Sequence, residues 1–333
     1  MNLLLTGGLG YIGSHTAVTL IQLNHTVVLF DDLSNSSKKT FENLTRIIDK
    51  SITFIKGNVC QTDQLLEILI DHEIDAVIHF AGLKSVASSV FYPLSYYATN
   101  VHGTISLLQA MHQAKVKSLI FSSSATIYGE PKYLPFDENH PTQPVNPYGR
   151  SKLYVEEILK DVAQADSSWR IACLRYFNPI GAHDSGLIGE KPSGVPNNLL
   201  PFIAQVASGK RKELQVFGDD YPTPDGTGVR DYIDVLDLAA GHCSALSYLK
   251  KTPGWSAINL GTGKGYSVMQ MVEAFERATG RVIPYRIMPR RPGDIAEFYA
   301  APDKSKKLLG WEAKRPIDES LANAWRFQLN LKT

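Results

Sequence analysis

Six short apolar runs, at 2–5, 26–30, 52–55, 76–80, 118–122 and 170–176, alternate with stretches of helical periodicity at 15–23, 63–71, 101–114 and 148–163. The runs are leucine-rich or β-branched and continuous rather than alternating, as expected of strands buried on both faces. Strand, helix and strand in repeated succession require crossover connections. Such connections build a parallel, doubly wound α/β sheet. The 333 residues suit about two domains, and 44% hydrophobic content excludes a disordered chain. From 178 to 201 the sequence turns loop-like, rich in Gly, Pro, Asn and Asp, and mixed short elements follow, with a second irregular stretch at 218–228. A domain change therefore falls near 178. Residues 1–177 form the sheet domain and 178–333 a smaller mixed α/β domain, some of whose later segments are free to pack back on the first.

The charge is nearly balanced, 34 Lys+Arg against 33 Asp+Glu, a net +1. That balance argues against nucleic acid or a membrane surface as partner and leaves small anions open. The N-terminus lacks the basic region of a secretory signal, and no run of about 18 apolar residues could span a bilayer. Cys60, Cys173 and Cys243 form no C-x-x-C, and the nine histidines show no metal-ligand spacing. The expectation is a reduced, cytoplasmic protein with no metal.

Gly8-Leu9-Gly10-Tyr11-Ile12-Gly13 is a literal G-x-G-x-x-G, preceded by Gly7, and it follows the first strand and opens the first helix. In that context the glycines let backbone approach a pyrophosphate at a helix N-terminus, as in the Rossmann dinucleotide site. Asp31 ends the second strand, 18 residues after Gly13, where an acid binds adenosine ribose hydroxyls and repels a 2′-phosphate. No Arg stands beside it, so NAD is favoured over NADP; Lys38 and Lys39 keep the second open. Asp32 can share the role or stand as a solvated loop acid. Each later strand ends in small or polar residues. Gly57-Asn58 follows the third, Ala81-Gly82-Leu83-Lys84 the fourth, Ser122-Ser123-Ser124 the fifth and Phe177-Asn178 the sixth. Their agreement points to one crevice at the carboxyl ends of the strands.

Tyr148 and Lys152 stand at i and i+4, on one helix face. Asn146-Pro147 reads as an N-cap with proline in the first helical position, which sets Tyr148 in the first turn at the positive dipole end. A phenol with a pKa of about 10 must fall to about 7 to act as a base near neutrality, a change of about 4 kcal/mol. Lys152, the helix end and an oxidised nicotinamide all push in that direction. Ser124 is the third member, donating to or relaying a proton from a substrate oxygen; Ser122 and Ser123 are alternatives on sequence alone.

With these motifs in hand, the segments Thr6–His15, His79–Lys84, Phe121–Thr126, Tyr148–Lys152 and Leu174–Pro179 resemble the extended short-chain dehydrogenase/reductase family. More narrowly they are similar to the UDP-glucose 4-epimerases. The similarity continues through Pro196–Asn198, Asp225–Tyr232 and Arg290–Asp294 and spans essentially the whole chain. The resemblance implies tightly held NAD and the interconversion of UDP-galactose and UDP-glucose. In that reaction Tyr148 takes the proton of the sugar 4-hydroxyl while C4 gives its hydride to NAD. Lys152 binds the nicotinamide ribose, and Ser124 bonds the 4-oxygen. The 4-keto sugar rotates, and hydride return inverts C4.

By the same resemblance, the cofactor side comprises Gly7, Gly10, Tyr11, Ile12 and Gly13, then Asp31, Asn35, Asn58 and Val59. Phe80, Ala81, Lys84, Thr99 and Phe177 complete it, with Ser124, Tyr148 and Lys152. The UDP-sugar side comprises Lys84, Ser124, Tyr148, Asn178, Asn198 and Leu199, with Phe217 by the uracil. Arg230, Tyr232, Arg291 and Asp294 match positions around the diphosphate or ribose, where guanidinium groups suit phosphate oxygens. A homodimer through the helices over 101–114 and 148–163 is also implied, although their apolar faces serve equally as core.

Three positions depart from the family pattern. Asn58 stands where an Asp commonly meets adenine, Thr99 replaces a usual Asn with Asn100 following, and Asp234 replaces a residue often His. Phe298 aligns with the position whose size admits or excludes a 2-N-acetyl group, so unacetylated sugars are expected. A 4,6-dehydratase on this scaffold needs an acid pair after its active-site Ser/Thr, and Ala125-Thr126 cannot do that work. An epimerase of another UDP-sugar (N-acetylhexosamine, pentose or uronic acid) shares the chemistry. A non-catalytic NAD sensor would have no use for Ser124, Tyr148 and Lys152 together.

Overall fold

The structure is a computed structural model and describes residues 1–331 apart from Ser193 and Pro292, so Pro292 of the Arg290–Asp294 motif lies outside the described residues. Six strands of the first half, β1 (Asn2–Thr6), β2 (Thr26–Asp31), β3 (Thr53–Lys56), β4 (Ala76–His79), β5 (Ser118–Ser124) and β6 (Arg170–Tyr176), form one sheet. With a seventh strand, β10 (Gly254–Leu260), its order is β10-β6-β5-β4-β1-β2-β3, and every pairing is parallel. Side chains explain why these runs are continuously apolar. Leu3 and Leu5 enter one core layer and Leu4 the other. Val27 and Leu29 part from Val28 and Phe30 in the same way, as do Ala172 and Leu174 from Ile171 and Cys173. Alternate residues fill opposite faces, and both faces are covered. Each fully buried Leu is worth about 2 kcal/mol.

The layer on the Leu4 side is closed by α3 (Thr62–Asp71), α6 (Gly103–Gln113) and α7 (Pro147–Ala165), through Leu65, Leu107 and Leu159 among others. The other is closed by α1 (Tyr11–Gln22), α2 (Lys38–Ile48) and α9 (Val235–Leu249). Between α3 and α6 lie two short helices, α4 (Val86–Phe91) and α5 (Pro93–Tyr96), and a π-helical stretch, Tyr97–His102. The seventh strand, β10 (Gly254–Leu260), comes from the second half and pairs with β6 along its length. Residues 235–260 thus return to the first sheet.

The rest of the second half has its own core around Ile203, Val216, Tyr232, Met271 and Phe275. It comprises α8 (Leu199–Ala207), α10 (Val268–Thr279) and α12 (Ile317–Asn330), whereas α11 (Asp303–Leu309) packs through Leu308 and Leu309 on the first core beside α9. Its strands form two small sheets. In one, β9 (Val229–Asp234) pairs with β7 (Asn178–Ile180), β11 (Gly265–Ser267) and β13 (Glu297–Phe298); in the other, β8 (Leu214–Phe217) pairs with β12 (Tyr285–Met288). No described helix is long and apolar enough to cross a membrane.

Candidate active site

The sheet order reverses between β1 and β4, which opens a crevice at the carboxyl ends of the strands. The two loops meet there. Gly7, at φ +67°, lies so close to the β4 loop that a Cβ on it would stand 2.6 Å from the Ala81 nitrogen. A Cβ on Gly13 would stand 2.5 Å from the Gly7 carbonyl oxygen. Both positions exclude any side chain. Helix α1 begins at Gly10 with no side-chain cap and no acidic residue in its first turn, which leaves the helix end open to an anion. Asp31 is buried at the end of β2. Its carboxylate accepts from the Leu9 nitrogen at 3.0 Å, the Leu33 nitrogen at 2.9 Å and the Ser36 hydroxyl at 2.7 Å, tying the glycine turn to the second strand.

The other first-half residues follow the same edge. Asn58 lies after β3, its side-chain oxygen accepting from the Cys60 nitrogen at 2.9 Å, and Val59 beside it is buried. Phe80 follows β4 and packs on the His242 ring at 4.9 Å. Ile12 packs against the first core layer, and Tyr11 donates to the Gly181 carbonyl at 2.7 Å. Asn35 follows β2. Thr99 is half-buried on the π-helical stretch, and its neighbour Asn100 is the braced residue. The Asn100 amide accepts from the Leu83 nitrogen at 2.8 Å and donates to the Leu83 carbonyl at 3.1 Å and the Ser151 hydroxyl at 2.9 Å, joining the β4 loop to α7.

Helix α7 starts where its sequence signals it. Asn146 caps it, Oδ1 accepting from the Gly149 nitrogen at 2.8 Å, with Pro147 in the first turn. Tyr148 and Lys152 face the end of β5. The Ser124 hydroxyl accepts from Thr126 Oγ1 at 2.9 Å, while Ser123 turns away to Glu156. Ser124 is therefore the serine on the Tyr148 side, and a hydrogen bond with it draws the phenol down. The protein's own groups do not by themselves bring the Tyr148 phenol down. Burial dominates and raises the phenol above its ordinary value, Tyr96 adding to the rise. Lys152 offers little to offset this, because its Nζ donates to the Ser122 carbonyl at 2.7 Å and lies 6.0 Å from the Tyr148 ring centre. Burial also lowers Lys152, to about 8.

Across the crevice, Asn178 on β7 pairs in register with Tyr232 on β9, whose phenol burial raises to about 12. Arg230 donates Nη1 to the Val229 carbonyl at 2.8 Å. The Arg291 guanidinium stacks 4.7 Å from the Phe217 ring centre and donates Nε to Asp294 at 2.9 Å. Phe298 pairs in register with Arg230, and its ring lies 4.6 Å from Phe136 and 5.4 Å from Phe177. Asn198 stands just ahead of α8 and Leu199, and its side chain makes no cap bond to the helix but donates to Glu190 at 2.7 Å. Glu190 also accepts from Lys84 at 2.8 Å, so this one carboxylate ties the β4 loop to the second half. Nothing in the sequence pattern marks Glu190 or Phe136, and Asn100 is marked only as the Asn that follows Thr99; their placement depends on contacts far apart in the chain.

A doubly wound sheet with a glycine turn at its switch point and a Ser, Tyr and Lys around the end of β5 defines the extended short-chain dehydrogenase/reductase class. Residues 4–324 match the family described as GDP-mannose 4,6 dehydratase. The chain is 52% identical to the UDP-glucose 4-epimerase of Bacillus subtilis (strain 168) over 328 residues, 98% of this chain and 97% of that one. A crystal structure of UDP-glucose-4-epimerase from Stenotrophomonas maltophila, with bound NAD and formylated UDP-arabinopyranose, superposes with a TM-score of 0.98 at 48% identity, covering 100% of this chain and 99% of that one. The Bifidobacterium longum UDP-glucose 4-epimerase, in complex with NAD+ and UDP, gives a TM-score of 0.95 at 49% identity, covering 99% and 98%. The chain belongs to this dehydratase-type family and, within it, to the UDP-glucose 4-epimerases.

Proposed function

We propose that this chain interconverts UDP-galactose and UDP-glucose by transient oxidation at C4. The convergence of Ser124, Tyr148 and Lys152 at the crevice between β1 and β4 carries the reading. The chain's residues fit NAD. Gly7 and Gly13 leave bare backbone at the switch point, the first turn of α1 has no cap of its own, and Asp31 offers a carboxylate where an adenosine ribose would lie. Lys39, a candidate for a 2′-phosphate, pairs with Glu42 at 3.7 Å, which favours NAD over NADP. When bound, NAD supplies a hydride acceptor that returns its hydride, and a positive ring charge.

Tyr148 is the general base. Burial raises its phenol, so the positive ring charge that bound NAD would supply is what would favour proton removal there. Ser124 bonds the 4-oxygen and polarises the hydroxyl that Tyr148 deprotonates. Lys152 keeps a cation at the strand end and orients the ribose. Inversion requires the 4-keto sugar to turn, so the grip belongs on the nucleotide. Arg230, Arg291 and Asp294 serve the diphosphate and ribose, Phe217 the uracil, and Asn178, Asn198, Leu199 and Tyr232 the remaining contacts. Phe298, wedged between Phe136 and Phe177, leaves little room for a 2-N-acetyl group, which favours the plain hexoses over acetylated ones.

Dehydration is disfavoured by the turn after Ser124. Thr126 donates to Ser124, and no carboxylic acid stands at 125 or 126 to remove a C5 proton. The division into a cofactor-binding part, 1–177, and a sugar-binding part, 178–333, follows the same reading, with 235–260 supporting the first. A homodimer is favoured by the exposed apolar side chains Phe91, Leu94, Ile105 and Tyr154 on the α4–α7 face. The three free thiols suit a cytoplasmic enzyme.

Incubating the purified protein with UDP-galactose and no added NAD tests the reading. UDP-glucose should appear, and the denatured protein should release NAD. No product even after NAD is supplied would refute it.

A further inference from the structure

One turn beyond Lys152 on α7 stands Glu156, its side chain 1% exposed. Its Oε1 accepts the Ser123 hydroxyl, the neighbour of Ser124. Arg175 of β6, its side chain 5% exposed, approaches as a fork, Nη2 donating to Oε2 at 2.6 Å and Nε to Oε1 at 3.1 Å. Arg175 Nη1 then donates to the Tyr128 hydroxyl at 3.0 Å, which donates to Asn259 Oδ1 at 2.7 Å. Asn259 Nδ2 donates to the Phe136 carbonyl at 2.9 Å, and the Phe136 ring packs on Phe298. An unbroken buried network thus runs from the serine strand end to the aromatic wall at Phe298.

Such a pair is a poor stabiliser. Removing two charges from water costs about what their attraction returns, and apolar residues of equal volume often serve the fold as well. A satisfied buried network instead specifies one geometry. We propose that Glu156 and Arg175 are positioning residues for the reaction: their ion pair locks the carboxyl end of β5, and with it the Ser124 hydroxyl and the Ser122 carbonyl that holds Lys152. The Glu156 anion has a second effect, since it favours the charged form of Lys152 against burial. The other titratable groups around Lys152 are Tyr148 on α7, His79 on β4 and Cys173 on β6. Burial favours the neutral form of each, with His79 held at about 3. The guanidinium of Arg175 is already taken by Glu156.

This inference rests on the roles given to Ser124, Tyr148 and Lys152, so the test separates the two. The holoenzyme is compared with E156L/R175M, which removes both charges at similar volume, with E156Q, which leaves Arg175 unpaired, and with Y148F. The expected result is a double variant that melts within a few degrees of the parent yet loses at least about tenfold in kcat at little changed KM, as misplacement of reacting groups does. The alkaline limb of its kcat/KM profile should move to lower pH, and that of E156Q in the same direction. A double variant with parental kcat and pH profile would overturn the proposal. So would one that fails to fold, because the pair would then be structural support. Undiminished turnover by Y148F would instead refute the active-site reading itself.

Discussion

Lys152 directs its ammonium to the carbonyl of Ser122, 2.7 Å away, and leaves the Tyr148 ring centre 6.0 Å from Nζ. The lysine therefore fixes the helix to the strand end as well as carrying charge. It is held as a cation where burial disfavours one, which lowers its pKa from 10.5 to about 8.

That penalty makes a signed prediction. Below pH 8 the folded chain carries a cation at a cost of about 3 kcal/mol. Between about 8 and 10.5 the unfolded chain binds a proton that the folded chain does not, so this group's contribution to stability rises with pH across that window. Lys152→Met should therefore melt no lower than the parent at pH 7, while kcat falls at least about 100-fold, the scale of lost acid–base assistance. In the parent, kcat/KM should fall on the alkaline side as the cation is lost near pH 8. Calorimetry with a pH–rate profile checks both; a large loss of melting temperature in Lys152→Met would contradict the argument.

At Phe298 the prediction concerns specificity. The ring fills space between Phe136 and Phe177, so Phe298→Cys should open a void beside the sugar site. Discrimination by a crowded pocket is worth about 10–200-fold per misfitting group. The variant's ratio of kcat/KM for UDP-N-acetylgalactosamine over UDP-galactose should rise at least tenfold. Because the ring is only half-buried, stability should fall by less than the about 3–5 kcal/mol typical of a fully buried Phe truncation. Parent enzyme that already turned over the acetylated sugar within about tenfold of UDP-galactose would remove the size argument.

Much of this was legible in the sequence where the signal is local. Continuous apolar runs marked strands β1 to β6, Asn146-Pro147 marked the start of α7, and i, i+4 spacing put Tyr148 and Lys152 together. The seventh strand was not legible, because Gly254–Leu260 joins β6 only after some 80 residues of other structure. Nor were Glu156 and Glu190, nor the part played by Asn100, whose partners are set by tertiary packing. The environment of Tyr148 was not legible for the same reason: spacing places a cation nearby in sequence, but burial and the Ser122 carbonyl decide what that cation does.

Asn100 offers a test of one such residue. It ties Leu83 to Ser151 and so holds the β4 loop on α7. Asn100→Ala leaves the half-buried Leu83 nitrogen without its acceptor, at a cost of about 1–3 kcal/mol, whereas the Ser151 hydroxyl still donates to the Tyr148 carbonyl at 2.7 Å. Melting temperature and the NAD retained through gel filtration should both drop. Thr99→Ala, one residue away, leaves that brace intact, so its melting temperature should stay near the parent's. Equal losses of melting temperature at 99 and 100 would show that the brace is not what matters.

The glycine turn separates folding from binding. At Gly7 an alanine must adopt φ +67°, which costs about 1 kcal/mol, and its Cβ would meet the Ala81 nitrogen at 2.6 Å and the Phe80 carbonyl carbon at 2.9 Å. Those are backbone atoms of the neighbouring strand end and cannot swing aside. At Gly10 a Cβ would meet only the Gly7 carbonyl, at 3.2 Å, with an ordinary negative φ of −69°. Gly7→Ala should therefore lose several degrees of melting temperature and elute without NAD. Gly10→Ala should melt near the parent but hold NAD weakly, since its methyl group stands at the uncapped helix end where the pyrophosphate would approach. Absorbance of the purified variants at 260 and 280 nm, read beside their melting curves, distinguishes the cases. A Gly10→Ala protein that kept its full complement of NAD would mean that the pyrophosphate does not approach there.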